Sequence, residues 1–167
     1  SSGESLKDTL RALRIHADRT VLETLLLGAL TPGEIVIRVH WSGINYKDAL
    51  AATRRAPIVR RPPLVGGIDL AGIVESSDVP QFGAGEAVLV TGCGLSETRD
   101  GGYATRARVP AEAVIALPES LTLREAMALG TPVLSSNTTA MPEVLGDAAQ
   151  YFDPDSTEDM IRSLHRF

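Results

Sequence analysis

The sequence is poor in several features that would by themselves place a protein in a class. It has 167 residues and one cysteine, Cys93, which excludes a disulfide within the chain and any zinc site built from several cysteines. No apolar run approaches the roughly 20 residues that a helix needs to cross a bilayer. Positive charge is in the minority, because 16 Lys and Arg stand against 21 Asp and Glu for a net charge of −5. This balance offers no general attraction to nucleic acid or to an anionic membrane, and we expect neither as a partner.

We expect no secretory signal peptide in the first residues. Residues 1–8 are polar and contain no hydrophobic segment of the kind found in a secretory signal peptide. We therefore expect a loose polar arm, or a segment foreign to the fold, and a cytoplasmic location for the protein. The rest of the composition, with 44% hydrophobic and 22% charged residues, is ordinary for a globular protein.

Short β-prone runs separated by glycine and proline fill most of the chain up to Pro118. The predicted strands are Leu10–His16, Val21–Leu27, Glu34–Trp41, one within Gly66–Glu75, Ala87–Thr91, Gly101–Val109 and Val114–Leu117. The run of three leucines in Val21–Leu27 is equally compatible with a helix. Short strands with glycine and proline turns are typical of a small antiparallel barrel.

The pattern changes near residue 130, where strands begin to alternate with helices. A helix is predicted over Thr122–Leu129, with Thr122 as its cap, Glu125 three residues later and Gly130 at its end. The later predictions are strands at Pro132–Ser135 and Gln150–Phe152, a helical turn at Pro142–Leu145 and an amphipathic helix at Asp155–Phe167. We therefore divide the chain into a polar arm (1–8), a β domain (9–130) and an α/β appendage (131–167).

One stretch gathers polar side chains directly behind a predicted strand. Asn45-Tyr46-Lys47-Asp48 presents a carboxamide, a phenol, an amine and a carboxylate within four residues, and a short helix is predicted over 48–53. A strand that leads such a cluster to the start of a helix commonly forms one wall of a pocket. The alternative is an ordinary capped turn, with Asn45 or Asp48 as the cap.

Other motifs are weaker. Gly92-Cys93-Gly94 follows a predicted strand, as in a dinucleotide-binding fingerprint, but Glu97 occupies the position of the third glycine. We therefore predict a glycine-rich hairpin at this point. Arg54–Pro63 combines four arginines with three prolines and is predicted to be a mobile loop. Such a loop either receives an anionic ligand or is ordinary solvated surface.

Five blocks, in order, resemble one enzyme superfamily. The blocks are Val39–Leu50, Pro63–Gly72, Gly85–Gly92, Glu97-Thr98 and Gly101–Ala104. Through them, residues 11 to about 131 resemble the N-terminal, GroES-like domain of medium-chain dehydrogenase/reductases, in particular the zinc-independent acrylyl-CoA reductase and quinone-oxidoreductase-like branch. The resemblance implies a mainly β fold, a GroES-like β-barrel with a small C-terminal α/β appendage. It also implies NADPH and a small-molecule substrate for the parent family.

The same resemblance implies a site. In zinc-dependent relatives a cysteine and a histidine ligand occupy the positions of Asn45 and Ile68, neither of which is a plausible zinc ligand, so we expect no metal. A reductase without zinc must polarise its substrate through hydrogen bonds. By similarity, Asn45, Tyr46 and Lys47 line the cleft beside the nicotinamide and the substrate. Tyr46 and Lys47 are the expected catalytic side chains.

The resemblance also implies residues that support this wall, and the sequence departs from the family pattern at two places. Asp48 and Asp69 are expected to hold the wall in place. Gly66 stands where the family usually has proline, and Arg99-Asp100 replaces a usual His-Trp pair. We expect these two departures to alter the packing on the substrate side.

The end of the sequence resembles a different family. Glu125–Ala149, continued by Phe152-Asp153-Pro154, resembles the nucleotide-sugar half of GT-B glycosyltransferases of family 4. In that family a glutamate matching Glu125 contacts the ribose of the donor. A second glutamate belongs eight residues earlier, where this chain has Leu117. The hypothesis is a chimera or recombined fragment in which neither parental active site is complete.

The leading functional expectation is the substrate-side domain of a zinc-independent, NADPH-dependent enoyl-CoA or quinone reductase. The parent family continues into a Rossmann domain that is not found in this sequence. We therefore expect doubtful NADPH binding, no enzymatic turnover by the isolated chain, and self-association through an uncovered barrel face. The alternatives are a non-catalytic remnant and a glycosyltransferase fragment.

Overall fold

A computed structural model describes residues 8–130, 133–136 and 149–152. The chain divides into two compact units, residues 1–127 and 128–167, three residues before the boundary that the sequence predicts. The helical turn predicted at 142–145 and the helix predicted at 155–167 lie outside the described residues.

The first sheet of the larger unit is a hairpin with one added strand. Strands β1 (Thr9–Ile15) and β2 (Thr20–Leu26) pair antiparallel over seven residues each. The leucine-rich segment is therefore a strand, and a short 3₁₀ turn follows it at Leu27–Ala29. Strand β4 (Leu64–Val65) pairs with the other edge of β1, which gives the order β2-β1-β4.

The second sheet contains five antiparallel strands in the order β7-β3-β5-β6-β8. Their bounds are β3 (Ile35–Trp41), β5 (Asp69–Ser77), β6 (Ala87–Thr91), β7 (Arg106–Val109) and β8 (Ile115–Ala116). The main core lies on this sheet and includes Ile35, Ile37, Leu70, Val74 and Val90. Two antiparallel sheets with few helices confirm the predicted mainly β class.

The strand predicted from Gly101 begins only at Arg106, so that prediction was wrong for residues 101–105. The backbone N–H groups of Gly101, Gly102 and Tyr103 instead donate to the carbonyls of residues 65–67. A side chain at Gly101 would collide with this neighbouring backbone, since an added Cβ would lie 2.1 Å from the carbonyl oxygen of Gly67. Segment 101–105 therefore joins the two sheets.

Two helices are described. Helix α1 (Tyr46–Thr53) begins two residues earlier than predicted, with Asn45 as its cap. Helix α2 spans Leu123–Gly130 and starts as the sequence predicts, because the Glu125 carboxylate accepts a hydrogen bond from the Thr122 N–H and the Glu125 N–H donates to Thr122 Oγ1. Neither helix is long and apolar enough to cross a membrane. In the smaller unit, β9 (Val133–Ser136) and β10 (Ala149–Phe152) pair in parallel.

The two departures from the family pattern, at Gly66 and at Arg99-Asp100, both make hydrogen bonds within the larger unit. The N–H of Gly66 donates to the carbonyl of Leu13 at 3.0 Å, a hydrogen bond that proline cannot make. Asp100 is buried, and its carboxylate accepts hydrogen bonds from the N–H groups of Thr31 and Val65. It therefore ties the segment before β3 to β4.

Candidate functional site

The polar cluster at residues 45–48 lies where strand β3 has ended and helix α1 begins. Ser42 to Asn45 form the connection, and the first residue of β5, Asp69, lies directly beneath it. Ser42 Oγ donates to the backbone carbonyl of Asp69 at 2.7 Å, which holds the connection to the sheet. The site is therefore built on a strand end and a helix start, both fixed by the larger sheet.

Asp69 is the buried centre of this arrangement. Its carboxylate is fully buried and accepts hydrogen bonds from the Gly43 N–H at 2.6 Å and from Asn45 Nδ2 at 2.7 Å. Glycine suits position 43, because a Cβ there would make a tight contact of 3.1 Å with both carboxylate oxygens. These contacts fix the backbone of the connection and the orientation of the Asn45 side chain.

Asp48 fixes the same residue from the other side. It is 2% exposed, and its Oδ2 accepts the backbone N–H of Asn45 at 2.9 Å and a longer bond, 3.2 Å, from Asn45 Nδ2. Its Oδ1 accepts the backbone N–H of Ile68 at 3.0 Å. Both N–H groups of the Asn45 amide are thus directed at carboxylates, one on Asp69 and one on Asp48.

Tyr46 and Lys47 project from the first turn of α1 with quite different surroundings. Tyr46 directly follows the cap and is 66% exposed, and Ile44, two residues earlier in sequence, is 87% exposed. Lys47 forms an ion pair with Glu97, which lies 50 residues away in sequence. The hydrogen bond from Lys47 and the positive charges of Lys47 and Arg60 lower the pKa of Glu97.

Glu97 reaches Lys47 because the segment after β6 folds back on itself. The N–H groups of Thr98 and Arg99 both donate to the carbonyl of Gly94, and Gly92 and Gly94 have positive φ. No helix follows Gly92-Cys93-Gly94 within residues 92–105, and the segment forms turns in place of the predicted hairpin, because the next strand, β7, pairs with β3 and not with β6. This part of the chain therefore supplies a carboxylate to the site and no helix N-terminus for a phosphate.

Tyr103 is a site residue to which sequence reasoning assigned no role. Its hydroxyl donates to the backbone carbonyl of Gly43 at 2.9 Å. Burial and the negative charges of Asp48 and Asp69 raise the pKa of this phenol well above its ordinary value. The only signal in the sequence was its place in the Gly101–Ala104 block, which says nothing of a partner 60 residues away.

Asn45 and Ile68, which occupy the positions of zinc ligands in zinc-dependent relatives, both make hydrogen bonds that support the fold. Asn45 caps α1, and the backbone N–H of Ile68 donates to Asp48. Over the described residues, no three His, Cys, Asp or Glu side chains are grouped so that they could hold a metal ion. That the site binds no metal stays a prediction.

Comparison with known families identifies this architecture. The model of the alcohol dehydrogenase GroES-like domain matches residues 31–119, more than half of the chain. The chain belongs to this family. As a GroES-like domain it has curated relatives named as reductases. The probable acrylyl-CoA reductase AcuI of Escherichia coli (strain K12) is 46% identical over 110 residues, which are 66% of this chain and 34% of that protein.

A second relative and a solved structure agree with this assignment. The putative quinone oxidoreductase YhfP of Bacillus subtilis (strain 168) is 44% identical over 110 residues, 66% of this chain and 33% of that protein. The crystal structure of the yhdH oxidoreductase from Salmonella enterica in complex with NADP is similar with a TM-score of 0.66 at 30% identity, over 93% of this chain and 58% of that chain. The chain thus spans about a third of the length of the curated relatives it matches.

Of the two family resemblances seen in the sequence, the comparisons confirm one and do not support the other. The GroES-like domain and its acrylyl-CoA reductase and quinone oxidoreductase relatives are confirmed. These comparisons do not support the resemblance of Glu125–Ala149 to glycosyltransferases. A parallel strand pair agrees with the α/β texture predicted for residues 131–167, but parallel pairing occurs in many α/β folds and does not select a glycosyltransferase.

Proposed function

We propose that this GroES-like domain is the substrate side of a zinc-independent, NADPH-dependent enoyl-CoA or quinone reductase. Asn45, Tyr46 and Lys47 would line the cleft beside the nicotinamide and the substrate, and Tyr46 and Lys47 would act on the substrate. The observation that carries the proposal is the double anchoring of Asn45 by two buried carboxylates, which sets the start of α1 and presents the next two side chains outward.

Asn45 differs from Tyr46 and Lys47 in the hydrogen-bond donors that it has left for a substrate. An asparagine amide has two N–H donors, and in Asn45 both are directed at Asp48 and Asp69. Asn45 therefore contributes to the site by fixing the start of α1, since both of its side-chain donors are already used. The remaining side-chain donors at the start of α1 are the Tyr46 hydroxyl, which is exposed, and the Lys47 ammonium.

Lys47 can remain paired while it donates to a substrate. An ammonium group has three N–H donors, and Glu97 takes one of them. Glu97 thereby restricts where the flexible lysine side chain points, while the other two donors are available to a carbonyl oxygen. A donor from Tyr46 Oη or Lys47 Nζ that reaches the carbonyl oxygen of a substrate would stabilise the negative charge that develops there during reduction.

The residues described fit one part of the cofactor. NADPH, when bound, supplies the hydride for reduction of a conjugated double bond or a quinone. An open wall with hydrogen-bonding side chains suits a nicotinamide and a substrate lying against it. A glycine-rich strand-to-helix turn of the kind that holds a pyrophosphate is not among residues 8–130, so the proposal assigns this region no role in binding that group.

The test compares the full chain with the double variant Tyr46→Phe/Lys47→Ala. Binding of acrylyl-CoA is measured by ligand-observed NMR, and NADPH oxidation is followed with acrylyl-CoA and with small quinones. We expect the double variant to bind acrylyl-CoA about tenfold more weakly, because it loses two hydrogen bonds, one of them from a charged donor. Any steady oxidation of NADPH by the unmodified chain is expected to disappear.

A matched control is Arg38→Ala, which removes one exposed positive charge from strand β3. The control should bind acrylyl-CoA like the unmodified chain. Equal binding by the double variant and the unmodified chain, or NADPH oxidation that persists in the double variant, would remove Tyr46 and Lys47 from the site.

A further inference from the structure

The opposite end of helix α1 borders a cavity that the proposed reaction does not use. This cavity has a volume of about 350 Å³ and is formed by the end of β1, the end of α1 and the loop that follows it. Its wall contains Arg54, Arg55 and His16, and none of the ten residues that line it is acidic. Its size is at the lower end of the range for small-molecule sites, about 300–1,000 Å³.

The two arginines of this wall are available to a ligand. Both are exposed, and Arg54 makes only a long hydrogen bond, 3.4 Å, to Thr20 Oγ1. The Arg55 guanidinium has no side-chain partner among the residues that the structure describes. Because arginine presents its N–H donors in a planar fork that matches phosphate, two exposed guanidinium groups at one cavity are suited to an anion.

The acidic groups nearby do not cancel this charge. Glu23 is held by His16 at 2.5 Å and by Arg14 at 3.6 Å, and Asp18, which follows the lining residue Ala17, is held by Arg19 at 3.1 Å. The C-terminal end of α1 contributes about half a negative charge, against two full positive charges from Arg54 and Arg55. The net field at the mouth of the cavity is therefore positive, although the whole chain carries −5.

The rest of the wall is apolar. Pro57, Val59 and Pro62 come from the loop after α1, and Ala51 and Ile15 come from the helix and from β1. Guanidinium groups beside an apolar surface suit a ligand that carries phosphate groups next to an uncharged part. A free inorganic ion would leave this apolar surface uncovered.

The cavity is also connected to the wall at Lys47. The loop after α1 returns to that wall, where the Arg60 N–H donates to the carbonyl of Glu97 at 2.8 Å. Along the helix, Lys47 and Arg54 are separated by seven residues, which is about 10 Å at 1.5 Å per residue. One extended ligand can therefore reach both places only if its reacting group and its phosphates are held well apart.

We propose that Arg54 and Arg55 bind the phosphate groups of a nucleotide-bearing ligand in this cavity. The assignment of that ligand to the substrate rests on the proposed reductase function. A coenzyme A thioester fits, because its pantetheine arm separates the thioester from the phosphates, whereas a simple quinone has no phosphate. NADPH carries the same chemistry and is the other source that the experiment must distinguish.

The experiment measures the Kd of coenzyme A, of pantetheine and of NADPH for the full chain by ligand-observed NMR. The double variant Arg54→Gln/Arg55→Gln is compared with Arg11→Gln/Arg38→Gln, which removes two exposed arginines that lie outside the cavity wall. We expect the cavity variant to bind coenzyme A at least about tenfold more weakly and pantetheine unchanged, with little effect of the control. Arg54→Lys/Arg55→Lys should recover part of the affinity.

The outcomes separate cleanly. Loss of coenzyme A affinity places the phosphates of the substrate in the cavity, and loss of NADPH affinity alone supports the same phosphate site with the cofactor as its source. Equal losses in the cavity variant and the control, or an equal loss for pantetheine, overturn the proposal. These measurements use no acyl group and no turnover, so they fail or succeed independently of the tests on Tyr46 and Lys47.

Discussion

Helix α1 begins over two buried carboxylates and ends at an exposed arginine. At its start, Asp48 and Asp69 are almost completely inaccessible and accept hydrogen bonds from the backbone on both sides. At its end, Arg54 closes the helix in the left-handed conformation, with a φ of 56°, and its side chain lies at the surface. Both ends suit the helix dipole, which favours acids at the start and bases at the end.

The difference between the two ends lies in burial and pairing. A buried carboxylate with several backbone donors is part of the fold, since removing it leaves those donors without partners. An exposed arginine with only a long hydrogen bond contributes little to the fold, so a substitution there tests binding with little disturbance to folding. Substitutions at the start of α1 should therefore lower the stability of the protein, and substitutions at its end should lower ligand affinity.

The largest effect is expected at the start, for Asp69→Ala. The Gly43 N–H and Asn45 Nδ2 would lose a charged acceptor inside the protein, and we expect the free energy of unfolding to fall by about 3 kcal/mol in urea denaturation. Asp69→Asn is the matched variant, because it keeps the shape and one acceptor oxygen, and it should lose less. A loss below about 1 kcal/mol for Asp69→Ala would contradict the anchoring role.

Tyr103→Phe should have a smaller effect that depends on pH. At neutral pH the loss of the hydrogen bond to the Gly43 carbonyl should cost about 1 kcal/mol. Because the folded protein raises the pKa of Tyr103 above its ordinary value of 10.0, the folded state holds this proton more tightly than the unfolded state. This contribution to stability is complete below pH 10.0 and is lost as the pH rises above it.

The measurement for Tyr103 is urea denaturation of both proteins from neutral to strongly alkaline pH, with an absorbance titration of the tyrosines. Stability should decline more steeply in the unmodified chain than in Tyr103→Phe above pH 10.0. Parallel declines, or a tyrosine of the folded protein that titrates normally and disappears in the variant, would show that this phenol is not held at the site.

Arg54→Gly tests the other end of α1 and should raise stability slightly. Glycine adopts the left-handed conformation without strain, and we expect a gain of about 0.5 kcal/mol. Arg54→Ala removes the same charge and keeps the strain, so it should show no gain. A clear loss of stability in both variants would mean that the arginine side chain itself supports the fold.

The smallest effect on stability is expected for Lys47→Ala, below about 0.5 kcal/mol at neutral pH, because the Lys47–Glu97 pair is partly exposed. The pKa of Glu97 is lowered, so the pair contributes above the ordinary carboxyl range and the contribution disappears as the pH falls through that lowered pKa. The two proteins should therefore converge in acid. A difference in urea denaturation that persists or grows in acid would exclude this ion pair as its cause.

Parts of the structure that depend on neighbours in sequence were predictable. Strand β6 has the bounds that the sequence predicts, Ala87–Thr91, and the start of α2 follows the Thr122 and Glu125 pair three residues apart. Segment 101–105 was not predictable in the same way. Its glycines and Tyr103 have a strand-like pattern, but their N–H groups bond to residues 65–67, which sequence spacing does not place beside them.

The sequence by itself determined the family, the mainly β class and the capping of α2. These depend on short patterns and on hydrogen bonds between residues three or four positions apart, which the local chain geometry enforces. Only the tertiary structure decided that Asp69 binds Asn45 and Gly43, that Tyr103 holds the Gly43 carbonyl, and that Glu97 pairs with Lys47. The partners in these contacts lie 24 to 60 residues apart. Pairing of β3 with β5 and the path of segment 92–105 bring them together, and no pattern within a segment specifies either.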